Sequence, residues 1–450
     1  MALRRALSQR LLTAFWQGSP EYWPGTQRCL TAIPGVDPVQ VQQQRSFATA
    51  DFSFTPPGRN HLFVPGPVNI HDSVLRAMDR PSLNHRDPWF NAFFKDILEE
   101  SKMIFKTKEG TTFIFPGTGT GGWEAALTNT LSPGDKVVTF RYGQFSHLWV
   151  DMMERLGLDV IVVDRPWGEG ADEAKLAEIL KADTKKEIKA VAVVHNETTT
   201  GVTSDIGQCR QVMDQADHPA LLLVDGVSSI GALDFRMDEW GVDVAVTGSQ
   251  KALSLPTGLA VVAASPKALA ARKSAKSKRC YYDFEDMLKT NPGGNVPYTP
   301  SIPLLYGLRE SLALLKSEGF ENVIKRHHRL AEGTRRAVAG WGLKLLCKEP
   351  RWNSDSLTVI ETPEGIDSGE IVKAAYTRYN LSIGVGLSKV AGKVFRIGHL
   401  GNSDEVMMLG AIAGTEMALL DAGVNIEPGS GVKEAIKYWQ STSKVIPTRG

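Results

Sequence analysis

The chain reads as an α/β protein built on a mostly parallel sheet, and three observations lead there. Across residues 111–264, short β-branched or apolar runs alternate with helix-like segments, the rhythm of a layered α/β domain. The runs are near continuous rather than alternating in polarity, as expected of strands covered on both faces by helices. Polar and glycine residues cluster just after the runs, at the carboxyl ends of strands, where open α/β sheets bind ligands.

The length of 450 residues accommodates one large domain and a smaller one, at roughly 100–200 residues per domain. A hydrophobic share of 42% with 22% charged residues argues against a disordered or fibrous chain. Lys plus Arg number 51 and Asp plus Glu 50, a net charge of +1, so no global field would draw nucleic acid or an anionic membrane. No apolar run approaches the roughly 20 residues of a membrane helix; runs such as 190–194 and 221–224 have strand length. Cys29, Cys209, Cys280 and Cys347 form no CxxC pair, so buried free thiols are expected rather than a zinc site or a disulfide framework.

Near-neutrality conceals a basic leader. Up to residue 50 there are five arginines and no lysine against Glu21 and Asp37, and the remainder carries 46 basic and 48 acidic residues. Leu3, Leu7, Leu11 and Phe15 recur every fourth residue and line one helical face. An Arg-bearing, acid-poor amphipathic start reads as an organelle transit peptide. Arg45-Ser-Phe-Ala48 resembles a mitochondrial processing site, which places the mature start near Ala48. Residues 1–50 are therefore a leader, 51–310 a large cofactor-binding domain with an N-terminal arm, and 311–450 a small C-terminal domain.

Seven runs are expected as strands: 113–115, 137–139, 160–163, 190–194, 221–224, 244–246 and 259–262. After a Gly- and Pro-rich loop at 291–297, residues 302–339 read as one long helix, and helix and strand alternate again from 343. His327 and His328, adjacent in that helix, splay apart and read as surface residues rather than metal ligands.

The first strand runs into Pro116-Gly-Thr-Gly-Thr-Gly-Gly122 and then a good helix start. Backbone N–H groups at such a junction cradle a phosphate. Gly117, Gly119 and Gly122 satisfy GxGxxG, so dinucleotide binding by an NAD(P)-dependent oxidoreductase is one reading. The next strand ends in Phe140-Arg-Tyr142, without the acidic residue that would hold a ribose, and no Gly-Lys-Ser/Thr follows for a P-loop. A purely structural turn is the plainer alternative, but Thr118 and Thr120 tilt the reading toward a phosphate ligand.

Two further strands end in Asp225 and, 26 residues on, in Gly248-Ser-Gln-Lys251. Singly, the Asp is often a turn former and the Lys a solvated charge. With a phosphate cradle, the pair meets the needs of pyridoxal phosphate: an amine to form a Schiff base with its aldehyde, and an acid to keep its ring nitrogen protonated.

Asp225-Gly-Val-Ser-Ser229, Gly248-Ser-Gln-Lys251 and Phe395-Arg-Ile-Gly-His399 resemble the class V aminotransferases of fold type I. His61-Leu-Phe-Val-Pro-Gly-Pro-Val-Asn69, Phe115-Pro-Gly-Thr-Gly-Thr-Gly121, His195-Asn-Glu-Thr198, Met237-Asp-Glu-Trp-Gly-Val-Asp243 and Leu387-Ser-Lys-Val-Ala-Gly-Lys-Val394 are similar to the plant-type serine–glyoxylate aminotransferases of photorespiration. The resemblance runs from about Gly58 to the C-terminus. It implies a fold-type-I transferase with a mostly parallel seven-stranded sheet and a smaller α+β domain. It further implies a homodimer that moves the amino group of L-serine, and also of alanine or asparagine, to glyoxylate, giving hydroxypyruvate and glycine. Alanine–glyoxylate or serine–pyruvate transfer as the main activity is the alternative.

By the same resemblance Lys251 is the Schiff-base lysine and Asp225 the partner of the pyridine nitrogen. Thr118, Gly119, Thr120 and Gln250 form the phosphate site, Thr198 gives a hydroxyl contact, and Phe145 stacks on the cofactor. Arg396 grips the substrate carboxylate, a task suited to a planar guanidinium. Thr299, His85 and Arg86 reach the site from across the subunit interface. His85 departs from the Tyr common in plant relatives. The leader, and an ending in Thr448-Arg-Gly450 where those relatives carry a peroxisomal tripeptide, make the mitochondrial matrix the expected location, with the peroxisome as alternative.

Overall fold

The computed structural model describes residues 58–444. The leader, its processing point and the final tripeptide lie outside the described residues. From strand β1 (His61–Phe63) the chain passes through helices α1 (Asp72–Met78) and α2 (Pro88–Phe105) to β2 (Thr111–Pro116), α3 (Gly119–Thr130), β3 (Lys136–Arg141), α4 (Gln144–Arg155), β4 (Asp159–Asp164), α5 (Glu173–Ala182) and β5 (Ile188–Val194). A hairpin, β6 (Asn196–Glu197) and β7 (Val202–Thr203), precedes α6 (Ile206–Gln215), β8 (Leu221–Asp225), β9 (Val244–Gly248) and β10 (Leu259–Ala264).

All seven expected runs are strands of one sheet, ordered β2-β10-β9-β8-β5-β3-β4. The pairings β9–β8, β8–β5, β5–β3 and β3–β4 are parallel; β10 runs antiparallel to both its neighbours. Every residue of β8, β9 and β10 is buried, which is why these segments read as unbroken apolar runs. Edge strand β4 begins and ends in exposed aspartates, a composition that discourages pairing with another chain.

The glycines after β2 serve packing as well as the turn. A Cβ on Gly122 would lie 2.5 Å from Val246 Cγ1, and one on Gly119 the same distance from Val227 Cγ2, so α3 approaches the sheet closely only because both positions lack side chains. Arg141, where a dinucleotide fold needs an acid, is paired instead with Asp164 on β4.

The rest of the chain supplies α7 (Pro266–Arg272), α8 (Phe284–Thr290), α9 (Ile302–Glu318), α10 (Phe320–Gly340), β11 (Lys344–Leu345), β12 (Leu357–Glu361), α11 (Ser368–Tyr379), β13 (Leu381–Val385), β14 (Val394–Gly398), α12 (Glu405–Asp421) and α13 (Ser430–Ser441). The second sheet, β1-β13-β14-β12-β11, has its own core with Phe395, Ile397, Met408 and Trp439. β1 pairs in parallel with β13, so the entry strand belongs to this sheet although 320 residues separate them.

Four expectations are corrected. The long helix is two, α9 and α10, divided at Gly319, whose φ of +83° is left-handed and ends a helix at little steric cost. Residue 311, where the small domain was expected to begin, lies inside α9, and α9 packs into the first core through Leu305, Leu308 and Leu312. His327 is buried rather than on the surface: its Nδ1 contacts Val323 O at 2.7 Å and its Nε2 accepts the Gly401 N–H, so it is a satisfied core histidine; His328 faces outward and pairs with Asp355. Among the described cysteines only Cys209 is the buried thiol expected; Cys347 is half-buried and Cys280 is exposed, against that expectation.

Candidate active site

Parallel strands deliver their carboxyl ends to one edge, and that edge collects the chemistry. Asp225 is the last residue of β8, Lys251 follows β9 by three residues, the 117–120 turn follows β2, Phe145 follows β3, and residues 195–198 follow β5.

Asp225 is buried, and its Oδ1 accepts the Val227 N–H at 2.9 Å. Burial pushes its carboxyl up to about 7, against the Val227 N–H and the Trp123 indole, which lower it. The Trp123 Nε1–H faces Asp225 without completing a hydrogen bond of good geometry, and it has no other partner.

Lys251 donates from Nζ to the carbonyl oxygen of Pro65 at 2.5 Å. Burial, and next the charge of Arg396, lower this amine to about 8, with Asp225 opposing. Gly66 lies over the same side chain: its φ is +128°, and a Cβ there would come within 2.6 Å of Lys251 Nζ. Position 66 thus requires glycine for both conformation and space.

Arg396 lies at the centre of β14, 7% exposed. Its Nε donates to Val385 O at 2.8 Å and its Nη1 to Thr198 O at 3.0 Å; Nη2 has no protein partner among the described hydrogen bonds. Burial lowers the guanidinium to about 10, Glu197 opposing, so it stays protonated at neutral pH. A fixed cation with one free N–H edge is suited to a carboxylate.

At the phosphate turn Thr118 caps α3 in extended conformation, but its hydroxyl makes no capping bond, leaving the first-turn N–H groups to an incoming acceptor. Gln250 Oε1 is buried without a partner and would lie 3.0 Å from a Cβ on Gly248, which would itself be 3.6 Å from Gly119 N. Tyr282 stands over this turn, its hydroxyl 2.9 Å from where a Cβ on Gly117 would sit. Phe145 is half-buried, and its N–H donates to Glu197 Oε1 at 3.4 Å.

One chain thus brings together Lys251, Asp225, Arg396, Thr198, Gln250 and the 118–120 turn, with Phe145 at their border. His85, which packs edge-on to Phe90, and the exposed Arg86 and Thr299 make no described contact with these residues. Sequence reading missed Tyr282, the Pro65-Gly66 cover and Glu197. The Tyr-Tyr pair at 281–282 carries no spacing signal, whereas Glu197 stands inside His195-Asn-Glu-Thr198, directly beside Thr198.

The arrangement fits pyridoxal phosphate on its own chemistry. Asp225 is a buried carboxyl that a cationic ring nitrogen would stabilise in ionised form. Lys251 supplies an amine with a lowered proton affinity, and the uncapped first-turn N–H groups of α3 offer donors at the phosphate position, where the NH2 end of the Gln250 carboxamide, not its Oε1, is the group suited to an anion.

Comparison with known proteins agrees. The family model described as Aminotransferase class-V matches residues 80–388. A serine–glyoxylate aminotransferase of Methylorubrum extorquens is 58% identical over 387 residues, 85% of this chain and 96% of that protein. One of Arabidopsis thaliana is 58% identical over 394 residues, 87% and 98% of the two chains. Among solved structures, pyridoxamine–pyruvate aminotransferase from Mesorhizobium loti superposes with a TM-score of 0.80 at 27% identity, covering 86% of this chain and 99% of its own.

Proposed function

The chain belongs to the class-V aminotransferase family, a pyridoxal-phosphate enzyme of fold type I, and from that premise we propose that it transfers the amino group of L-serine to glyoxylate, forming hydroxypyruvate and glycine. The observation that carries this reading is the convergence of Asp225 and Lys251, at one edge of the first sheet, with Arg396, which reaches them from β14 of the second, in a chain 58% identical to two serine–glyoxylate aminotransferases over most of its length.

When bound, the cofactor supplies an aldehyde for the amino group and a ring that accepts electrons from the substrate Cα. The protein does the rest. Arg396 holds the α-carboxylate through its free Nη2 edge and so orients the Cα–H bond. Lys251, freed as substrate takes its place, would take the proton from the substrate Cα and deliver it to the carbon that bore the cofactor's aldehyde, and with glyoxylate as acceptor would move it in the reverse direction. Asp225 keeps a positive charge on the ring nitrogen, and the 118–120 turn with Gln250 fixes the phosphate. Burial excludes water from the lysine and strengthens each electrostatic contact.

The finer assignments belong to the same proposal. Serine is the preferred donor, alanine the competing one, and the photorespiratory role is the one implied by resemblance to plant-type enzymes. A homodimer is supported by the exposure of Thr299 and Arg86, which the family resemblance assigns to the neighbouring subunit's site. Mitochondrial import is supported by the leader's five arginines against two acids. The test is a competition assay: full-chain holoenzyme with glyoxylate and equal serine and alanine. Hydroxypyruvate in excess over pyruvate supports the serine assignment; pyruvate in excess makes alanine the main donor.

A further inference from the structure

Glu197 is fully buried on the short strand β6 and, among the described residues, has no basic side chain hydrogen-bonded to it. Its carboxylate accepts three backbone N–H groups: Ser146 at 2.9 Å on Oε2, and Thr199 at 3.1 Å and Phe145 at 3.4 Å on Oε1. Two of these donors lie in the first turn of α4, whose own N-cap is Gly143 with no side chain to offer. A carboxylate from another element therefore caps the helix, where the dipole favours negative charge.

The fit is close enough to dictate sequence. A Cβ on Gly143 would fall 2.2 Å from Glu197 Cδ, although its φ of −178° suits any residue, so steric exclusion by Glu197 explains the glycine. Gln144 N adds a bond to Thr199 Oγ1 at 3.2 Å. The 197–199 segment is thereby clamped to α4 on one side. On its other side, Thr198 O accepts from Arg396 Nη1.

We propose that Glu197 is a positioning residue for substrate: by clamping the 197–199 segment to the start of α4 it fixes the Thr198 carbonyl on which the Arg396 guanidinium is seated, and so sets the affinity of the site for substrate carboxylates. Its negative charge also favours the protonated guanidinium against burial. The inference rests on the reading of Arg396 as the carboxylate-binding residue.

Glu197→Gln keeps the shape but turns one acceptor into a donor that meets backbone N–H groups. In the Glu197→Gln holoenzyme KM for serine and for glyoxylate should rise together by about tenfold, the scale of one charge-assisted hydrogen bond. Turnover should stay within about twofold, and the visible absorption of the bound cofactor should be unmoved. Glu197→Asp, which keeps the charge, should recover part of the loss. Wild-type KM in Glu197→Gln, a loss confined to kcat, or loss of the bound cofactor overturns the proposal. If Glu197→Gln does not fold, Glu197→Asp is read alone: a rise in both KM values of about threefold supports it and wild-type KM overturns it. Arg396→Gln measured alongside separates the two readings. If it leaves KM unchanged, the carboxylate role of Arg396 fails; if it raises KM while Glu197→Gln does not, only the role of Glu197 fails.

Discussion

Lys251 Nζ and the Pro65 carbonyl oxygen meet at 2.5 Å although 186 residues separate them in the chain. Pro65 lies two residues beyond β1, which is hydrogen-bonded into the second sheet, while Lys251 follows β9 of the first. The reactive amine is therefore enclosed by the joining of two cores, and its burial, the largest cause of its lowered proton affinity, comes from tertiary structure. Arg396 repeats the pattern by reaching from β14 to Thr198 beside the first sheet.

Lys251→Ala should abolish turnover and the visible absorption of the lysine-bound cofactor while leaving the chain folded. Circular dichroism with an absorption spectrum checks this; retained activity in the variant contradicts the assignment.

Asp225→Asn cannot hold a charge opposite the ring nitrogen. The expected loss in kcat is about 10²–10³-fold, as when one preorganised electrostatic partner is removed, with cofactor content near wild type. Stopped-flow measurement of the serine half-reaction gives the rate.

The lowered amine gives a pH signature. Lysine attacks the cofactor aldehyde only when unprotonated, so capture of pyridoxal phosphate by the apoprotein should accelerate with rising pH and level off near 8 rather than near the ordinary lysine value of 10.5. The sign for stability is the same: between about 8 and 10.5 the unfolded chain binds the extra proton, so through this group the apoprotein gains stability as pH rises. Arg396→Gln removes the second cause of the shift and should move the capture midpoint upward. A midpoint unmoved by that change contradicts the coupling.

Gly66→Ala should strike Lys251 and force a left-handed φ on alanine. A penalty of about 1–3 kcal/mol follows from the strained conformation, read as a lower melting temperature together with slower cofactor capture. Gly58→Ala, also at positive φ but with open space around it, is the control for conformation alone.

What was legible in the sequence was local. The seven strands declare themselves because the central ones, covered on both faces, carry near-continuous apolar runs and the edge strand β4 keeps one between its terminal aspartates, and Asp225 and Lys251 are legible because parallel strands end at one edge. Gly319 was also visible, yet a long amphipathic pattern on both sides of it outweighed a single residue, so α9 and α10 read as one. The burial of His327 and the cover that Pro65 and Gly66 place over Lys251 depend on partners hundreds of residues apart or on another element, and no period or spacing records them. Glu197 shows the limit most plainly: its neighbours in sequence suggested a cofactor contact, while its role is set by α4, some 50 residues earlier.

The most direct test is the half-reaction. L-Serine alone, added to the full-chain holoenzyme, should bleach the visible band and release one hydroxypyruvate per active site, and glyoxylate added next should restore the band with one glycine. Hydroxypyruvate formed continuously without glyoxylate, or a band that serine leaves unchanged, would contradict amino transfer from serine through Lys251.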